Sequence, residues 1–130
     1  MTAAILVVDD DDDIRSVLRE LMEEEGYQVE EARNGDEALR ALKRASRRFG
    51  VLLDLRMPVL DGIGVINAVA KDKALRRQHA YLLATADNRT LPLSFVQQLT
   101  SLEIPIVAKP FDEPKLYSLV ASAVARLRDN

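Results

Sequence analysis

Five side chains that carry an acid, a hydroxyl or an ammonium group each come directly after a short apolar run. Asp9 and Asp10 follow the run at 5–8, Asp54 follows 51–53, Thr85 follows 81–84, and Lys109 follows 104–108. Apolar runs of this length, separated by helical patterns, are typical of buried strands in a parallel sheet. Because ligands bind outside the carboxyl ends of such strands, we expect the five side chains to meet at one edge.

The three aspartates indicate a metal site. At a separation of about 5 Å and an effective dielectric constant of about 20, each pair of carboxylates repels by about 3 kcal/mol. A divalent cation relieves this repulsion, and an all-oxygen ligand set suits Mg²⁺, with Mn²⁺ as a substitute. Asp9 and Asp10 directly follow a buried run and are assigned to this site, whereas residues 11–13 fit the N-terminus of the next helix.

The remaining side chains extend the prediction to phosphoryl chemistry. A carboxylate such as Asp54 can act as a nucleophile and form an aspartyl-phosphate. The Thr85 hydroxyl can donate a hydrogen bond to a phosphoryl oxygen, and the Lys109 ammonium can pair with an anion. The single histidine, His79, lies near the start of its strand, at the opposite end from Thr85, and is interpreted as structural.

The elements that position these residues follow from the hydrophobic pattern. Five strands are predicted, at 4–8, 27–30, 49–53, 79–84 and 104–108. Five helices alternate with them: one after 11–13, one at 35–47, one at 63–70, one capped by Thr90, and one opened by Pro114. This order predicts a doubly wound α/β fold with a five-stranded parallel sheet. Pro105 predicts that the fifth strand lies at an edge.

Composition narrows the class of protein. The chain has 130 residues, a net charge of −3 and no cysteine. We therefore expect one domain over 1–130 in the cytoplasm, without disulfides and without direct binding of nucleic acid. The N-terminus does not resemble a signal peptide and no apolar run is long enough to span a membrane, so no membrane partner is expected.

Four segments together resemble the receiver domain of bacterial two-component response regulators, of the single-domain chemotaxis-regulator type. They are ILVVDDD at 5–11, VLLDLRMPVLDG at 51–62, LLATA at 82–86 and VAKPF at 107–111. The resemblance covers essentially the whole chain. It implies a flavodoxin-like (βα)5 fold with the strand order 2-1-3-4-5.

The resemblance also implies a role for each site residue. Asp54 is the expected phosphoacceptor, and Asp9, Asp10, Asp54 and the backbone carbonyl of Arg56 are the expected Mg²⁺ ligands. Thr85 and Lys109 are expected to contact the phosphoryl group. A cis peptide bond is expected between Lys109 and Pro110.

Two positions are expected to modulate the switch. Receivers commonly carry a Tyr or Phe three residues before the strand-five lysine, but this chain has Ile106 there. An isoleucine cannot present a ring or a hydroxyl, so we expect the read-out to depend more on the fourth predicted helix and its flanking loop. Arg56 and Asp87 lie two residues after Asp54 and Thr85, where receivers tune the lifetime of the phosphate.

The function that the resemblance implies is a phosphoacceptor switch that assists its own phosphorylation and dephosphorylation, rather than an enzyme. Its expected partners are a histidine kinase or phosphotransfer protein and, downstream, a protein effector or a domain missing from this chain. The switching surface is expected at the fourth predicted helix, the fifth strand and the last helix, where a homodimer could also form.

Two other classes of protein share parts of this pattern. A phosphatase of the haloacid dehalogenase type also uses a strand-end aspartate, a hydroxyl and a lysine. Such enzymes need a second acid two residues after the nucleophile, where this chain has Arg56, and the chain has no room for a cap domain. A phosphorylation-independent interaction module would be favoured by loss of the acid pair, Asp54 or Lys109, and none of these is lost.

Overall fold

A computed structural model describes residues 4–86 and 91–128 and contains a single parallel sheet. Its strands are β1 (Ala4–Val8), β2 (Gln28–Ala32), β3 (Phe49–Asp54), β4 (Ala80–Thr85) and β5 (Ile106–Ala108). The order across the sheet is β2-β1-β3-β4-β5, and every neighbouring pair is parallel. The predicted fold class and strand order are therefore confirmed.

Six helices cover the two faces of the sheet within the described residues. They are α1 (Asp12–Glu24), α2 (Gly35–Arg44), α3 (Gly62–Ala70), α4 (Lys73–Gln78), α5 (Leu93–Ser101) and α6 (Glu113–Arg128). The short helix α4 was not predicted. Its six residues bury only Leu75, so no hydrophobic period marks it, and Asp72 begins it by accepting a hydrogen bond from the Leu75 amide.

Each face of the sheet carries its own hydrophobic core. Leu6, Val51 and Leu83 point to one face, where buried side chains of α2, α3 and α5 pack against them. Ile5 and Leu52 point to the other face, which α1 and α6 cover. Alternate residues of one strand serve opposite cores, which is why the central strands are continuous apolar runs.

Several boundaries differ from the predictions by one to three residues, among them the end of β2 at Ala32 rather than 30 and the range Ala80–Thr85 of β4 rather than 79–84. The clearest differences are in β5, α2 and α5. The strand β5 begins at Ile106, because Pro105 has no N–H to pair, although its carbonyl accepts from the Leu83 amide. The helix α2 ends at Arg44 rather than at residue 47, since Ala45 is extended. The helix α5 begins after Pro92, and the predicted cap Thr90 lies outside the described residues.

The edge position of β5, next to β4 alone, agrees with the expectation from Pro105. None of the helices among the described residues has both the length and the apolar character needed to cross a membrane.

Candidate functional site

The carboxyl edge of the sheet brings together the acids and the lysine that the sequence singled out. Asp54 is the last residue of β3, Asp9 directly follows β1, and Lys109 directly follows β5. The Lys109 ammonium donates to Asp54 Oδ1 at 2.7 Å and to Asp9 Oδ2 at 3.3 Å. Both acids are buried, so the lysine balances two carboxylates that water solvates poorly.

Asp10 completes a group of three carboxylates. One carboxylate oxygen from each of Asp9, Asp10 and Asp54 lies within 4.8 Å of the other two. Asp10 is exposed while its two neighbours are buried, so the group opens to solvent on one side. Oxygen ligands with room for water are the donor set that Mg²⁺ takes, and these residues therefore fit that ion.

The electrostatics of the site are set by burial and by the lysine. Burial raises the pKa of Asp54 above its usual value, Lys109 opposes this effect, and Asp9 and Asp10 add to it by repulsion. For Lys109, burial favours the neutral amine, but the hydrogen bonds and charges of Asp54 and Asp9 outweigh it and raise its pKa. The lysine is therefore held as a cation.

Thr85 ends β4 beside these groups. It is buried, and its carbonyl accepts a hydrogen bond from the Lys109 amide at 2.9 Å. The backbones that carry the hydroxyl and the ammonium are thus bonded to each other at the sheet edge. The Lys109–Pro110 peptide bond is cis, as expected.

Local hydrogen bonds fix the backbone around Asp9. The Asp11 amide donates to Asp9 Oδ1 at 3.0 Å, and the Asp11 side chain in turn accepts from two amides in the first turn of α1. This cap agrees with the prediction for residues 11–13. Arg15 donates to the Asp9 carbonyl at 2.9 Å and pairs with Glu31. Arg15 was not predicted, because an arginine on an amphipathic helix carries no signal of its own.

The loop after β3 is shaped by one glycine and one strained residue. A Cβ on Gly62 would lie 2.7 Å from the Asp54 carbonyl oxygen, so only glycine allows α3 to approach the site this closely. Val59 has φ 70°, and the Leu60 amide donates to the Pro58 carbonyl across it at 2.8 Å. This is a γ-turn of the rare, strained form.

The other candidates lie in different settings. Arg56 follows β3 and has an exposed side chain. Ile106 opens β5, is half-buried and packs against the core under α5. Asp87 lies outside the described residues. His79 is buried at the opposite edge of the sheet, where Nδ1 accepts from the Phe49 amide at 3.0 Å and Nε2 lies 3.3 Å from the Leu42 carbonyl.

Comparison with known proteins places the whole arrangement in a family. The response regulator receiver domain family matches residues 5–121. A probable transcriptional regulator, ycf27 of Cyanidium caldarium, is 32% identical over 127 residues, which are 95% of this chain and 47% of that protein. The transcriptional regulatory protein ResD of Bacillus subtilis is 47% identical over 70 residues, which are 54% of this chain and 29% of that protein. The chain thus spans less than half the length of these curated relatives.

Solved structures share the fold over almost their full length. The receiver domain of a signal transduction histidine kinase from Syntrophus aciditrophicus has a TM-score of 0.83 and 25% identity, with 99% of this chain and 95% of that chain covered. The receiver domain of the sensor histidine kinase PA1611 from Pseudomonas aeruginosa, solved with a magnesium ion in its active site cleft, has a TM-score of 0.80 and 24% identity, with 96% and 99% covered. With the family match over nearly all of its length, this chain belongs to the response regulator receiver domain family.

Proposed function

We propose that this chain accepts a phosphoryl group on Asp54 and acts as a Mg²⁺-dependent signalling switch. The observation that carries the proposal is the ion pair of 2.7 Å between Lys109 and Asp54, set among three carboxylates at one sheet edge. The donors we propose are a histidine kinase or a phosphotransfer protein, and the setting is the cytoplasm.

The chemical step is a displacement at phosphorus. An Asp54 carboxylate oxygen forms the new bond to phosphorus while the bond to the donor breaks, which releases the imidazole of a phosphohistidine or the acetate of acetyl phosphate. Lys109 then exchanges its carboxylate partner for a phosphoryl oxygen, and the Thr85 hydroxyl donates to another. The rate comes from positioning and from charge balance, because no side chain has to move a proton first.

The proposed metal ligands are Asp9, Asp10, Asp54 and the Arg56 carbonyl. A bound Mg²⁺ supplies positive charge that neutralises the carboxylates and the incoming phosphoryl oxygens. Lys109 in the meantime balances Asp9 and Asp54 from the β5 side. Water later attacks the same phosphorus, the bond between phosphorus and the Asp54 oxygen breaks, and inorganic phosphate leaves. The chain thereby regains the free Asp54 carboxylate and assists its own dephosphorylation.

The output we propose is a change at the surface of α5, β5 and α6, which a protein effector, an attached domain or a second copy of the chain then reads. A half-buried Ile106 at the start of β5 cannot provide an aromatic read-out. Structures with and without beryllofluoride test this part. A moved α5 with Ile106 in place supports it, and a relocated Ile106 with α5 unchanged contradicts it.

Intact mass after incubation with acetyl phosphate tests the chemistry directly. We expect wild type to gain one phosphoryl mass with Mg²⁺, and to gain none with EDTA. Asp54→Ala should gain none, and Asp61→Ala, which removes another loop aspartate, should still be modified. A folded wild-type protein that acetyl phosphate does not modify would next be mixed with a phosphorylated histidine kinase. Failure there as well would contradict the proposal.

A further inference from the structure

A cavity of about 900 Å³ lies at the amino edge of the sheet, opposite the Asp54 site. The starts of β3 and β4 and the ends of α3, α5 and α6 surround it, together with the helix α4. Its volume falls in the range of sites that hold a small molecule. Nothing in the phosphoryl chemistry described above uses this cavity.

The charge of the cavity differs from that of the chain. Its lining carries four arginines and one acid: Arg48, Arg76, Arg77, Arg126 and Glu103. The local balance of these side chains is thus three positive charges, whereas the whole chain carries −3. Guanidinium groups are planar forks that bind phosphate and carboxylate oxygens in pairs, so an arginine-rich cavity favours a ligand that carries several such oxygens.

Part of this charge has a structural use. Arg48 donates to the Leu127 carbonyl at 2.8 Å, Arg76 to the Ala70 carbonyl at 3.0 Å, and Arg126 to the Glu103 carbonyl at 3.0 Å. These bonds satisfy carbonyls at helix and loop ends, where cations are stabilising. They also hold three guanidiniums in place around the cavity.

The arginines of the cavity keep N–H groups that are not used in these bonds to carbonyls. In the part of the chain that the structure describes, Arg77 has no hydrogen-bond or ion-pair partner, and Arg48 and Arg76 each use one of five N–H groups. Most of the remaining lining residues are apolar, such as Val69, Leu102 and Ile104, and three are polar: Ser46, Gln78 and His79. The cavity therefore combines free phosphate donors with a surface for an organic group.

We propose that this amino-edge cavity binds a small molecule that carries a chain of two or three phosphate groups. The positive charge matches such a chain, and the apolar wall would contact an organic part if there is one. Because the cavity and Asp54 lie at opposite edges of the sheet, binding here is separate from phosphorylation.

Calorimetric titration of the full chain in EDTA tests the proposal, with sodium tripolyphosphate, ATP and AMP as probes. We expect both triphosphates to bind and AMP to bind at least about tenfold more weakly, because each charged hydrogen bond lost costs about one order of magnitude. Equal affinity for tripolyphosphate and ATP assigns binding to the phosphates alone. Tighter binding of ATP than of tripolyphosphate shows that the apolar wall also contributes to the affinity.

The test variant is Arg76→Gln/Arg77→Gln, and the matched control is Arg33→Gln/Arg40→Gln, which removes the same charge from exposed positions that do not line the cavity. We expect the affinity for tripolyphosphate to fall by about tenfold or more in the test variant and by less than twofold in the control. Should the test variant fail to fold, Arg77→Gln alone serves, because Arg77 is exposed and bonded to nothing described.

Backbone amide shifts in NMR spectra locate the ligand. Changes at α4 and at the end of α6 support the proposal, and changes confined to the Asp54 edge contradict it. Equal losses in the test and control variants, or no binding to wild type at millimolar probe, would overturn it as well. A polyglutamate peptide that binds tighter than tripolyphosphate would assign the cavity to an acidic protein segment instead.

Discussion

Replacement of Lys109 by methionine separates the stability of the site from its chemistry. The side chain keeps its length and loses its charge, so Asp9 and Asp54 lose partners at 3.3 and 2.7 Å. At an effective dielectric constant of about 20, these distances correspond to attractions of about 5 and about 6 kcal/mol. Most of that attraction offsets the cost of removing the charges from water, which leaves a net loss of about 3 kcal/mol when one partner is removed.

Urea unfolding at pH 8 without metal measures this loss. Because burial already raises the pKa of Asp54, the lost lysine raises it further, and a proton then relieves the repulsion. A group with a raised folded pKa stabilises the fold at low pH and loses that effect as the pH rises. The deficit of Lys109→Met should therefore be larger at pH 8 than at pH 5.

The substitution Lys109→Met should strengthen the binding of Mg²⁺ and weaken phosphorylation. Without the lysine, the carboxylates are free for Mg²⁺, so the metal should bind more tightly and should restore stability with the logarithm of its concentration above the Kd. Phosphorylation by acetyl phosphate should nevertheless fall, because a phosphoryl oxygen loses its cation. The control is Lys115→Met, an exposed lysine in the first turn of α6. Unchanged unfolding in Lys109→Met at pH 8, or weaker Mg²⁺ binding, would refute the reasoning.

Three other substitutions test the surrounding structure. Gly62→Ala should destabilise by about 1–3 kcal/mol in urea and slow phosphorylation, because its Cβ would meet the Asp54 carbonyl at 2.7 Å; wild-type values would contradict the close approach. Val59→Gly should raise the free energy of unfolding by up to about 1 kcal/mol, because φ 70° strains a β-branched residue; a loss would contradict the strain. Burial, mainly, and the nearby Arg48 lower the pKa of His79. The buried neutral His79 therefore contributes to the free energy of unfolding above about pH 6.5, and this contribution is lost as the pH falls. In urea unfolding between pH 7.5 and 5, the stability of His79→Gln should depend less on pH than that of wild type.

The strands and the acidic site could be predicted because burial and chemistry coincide in the sequence. A parallel strand between two helical layers must be apolar throughout, so Val51 to Leu53 is unmistakable, and the polar residue that follows must lie at the sheet edge. Asp54 and Lys109 therefore meet without any information beyond the order of the elements. The distance between them was not predictable, because it depends on the registers of three strands.

Arg15 and the helix α4 could not be predicted, because no pattern of buried residues marks them in the sequence. The role of Arg15 depends on a carbonyl six residues earlier and on Glu31 of another element, and neither partner follows from a periodic pattern. The helix α4 is a charged segment with one buried leucine, which reads as a loop. What the sequence leaves open here is the placement of charged side chains, since many solvated positions are equally compatible with their type.

The opposite charges of the two sheet edges follow from the topology. In a right-handed parallel fold each helix runs antiparallel to the strands, so helices begin at the carboxyl edge and end at the amino edge. Helix N-termini favour negative groups and C-termini favour cations. The acids Asp11 and Asp61 cap α1 and α3 at the carboxyl edge, where Asp54 lies, and the arginines of the amino-edge cavity bond to carbonyls where helices end. The same backbone partial charges that favour negative groups at one edge thus favour arginines at the other. An anion at the amino edge must therefore be held by guanidinium groups, because the helix ends there repel it. That requirement is why the loss of Arg76 and Arg77 should weaken binding by about tenfold or more, and why the loss of two arginines elsewhere should change it less than twofold.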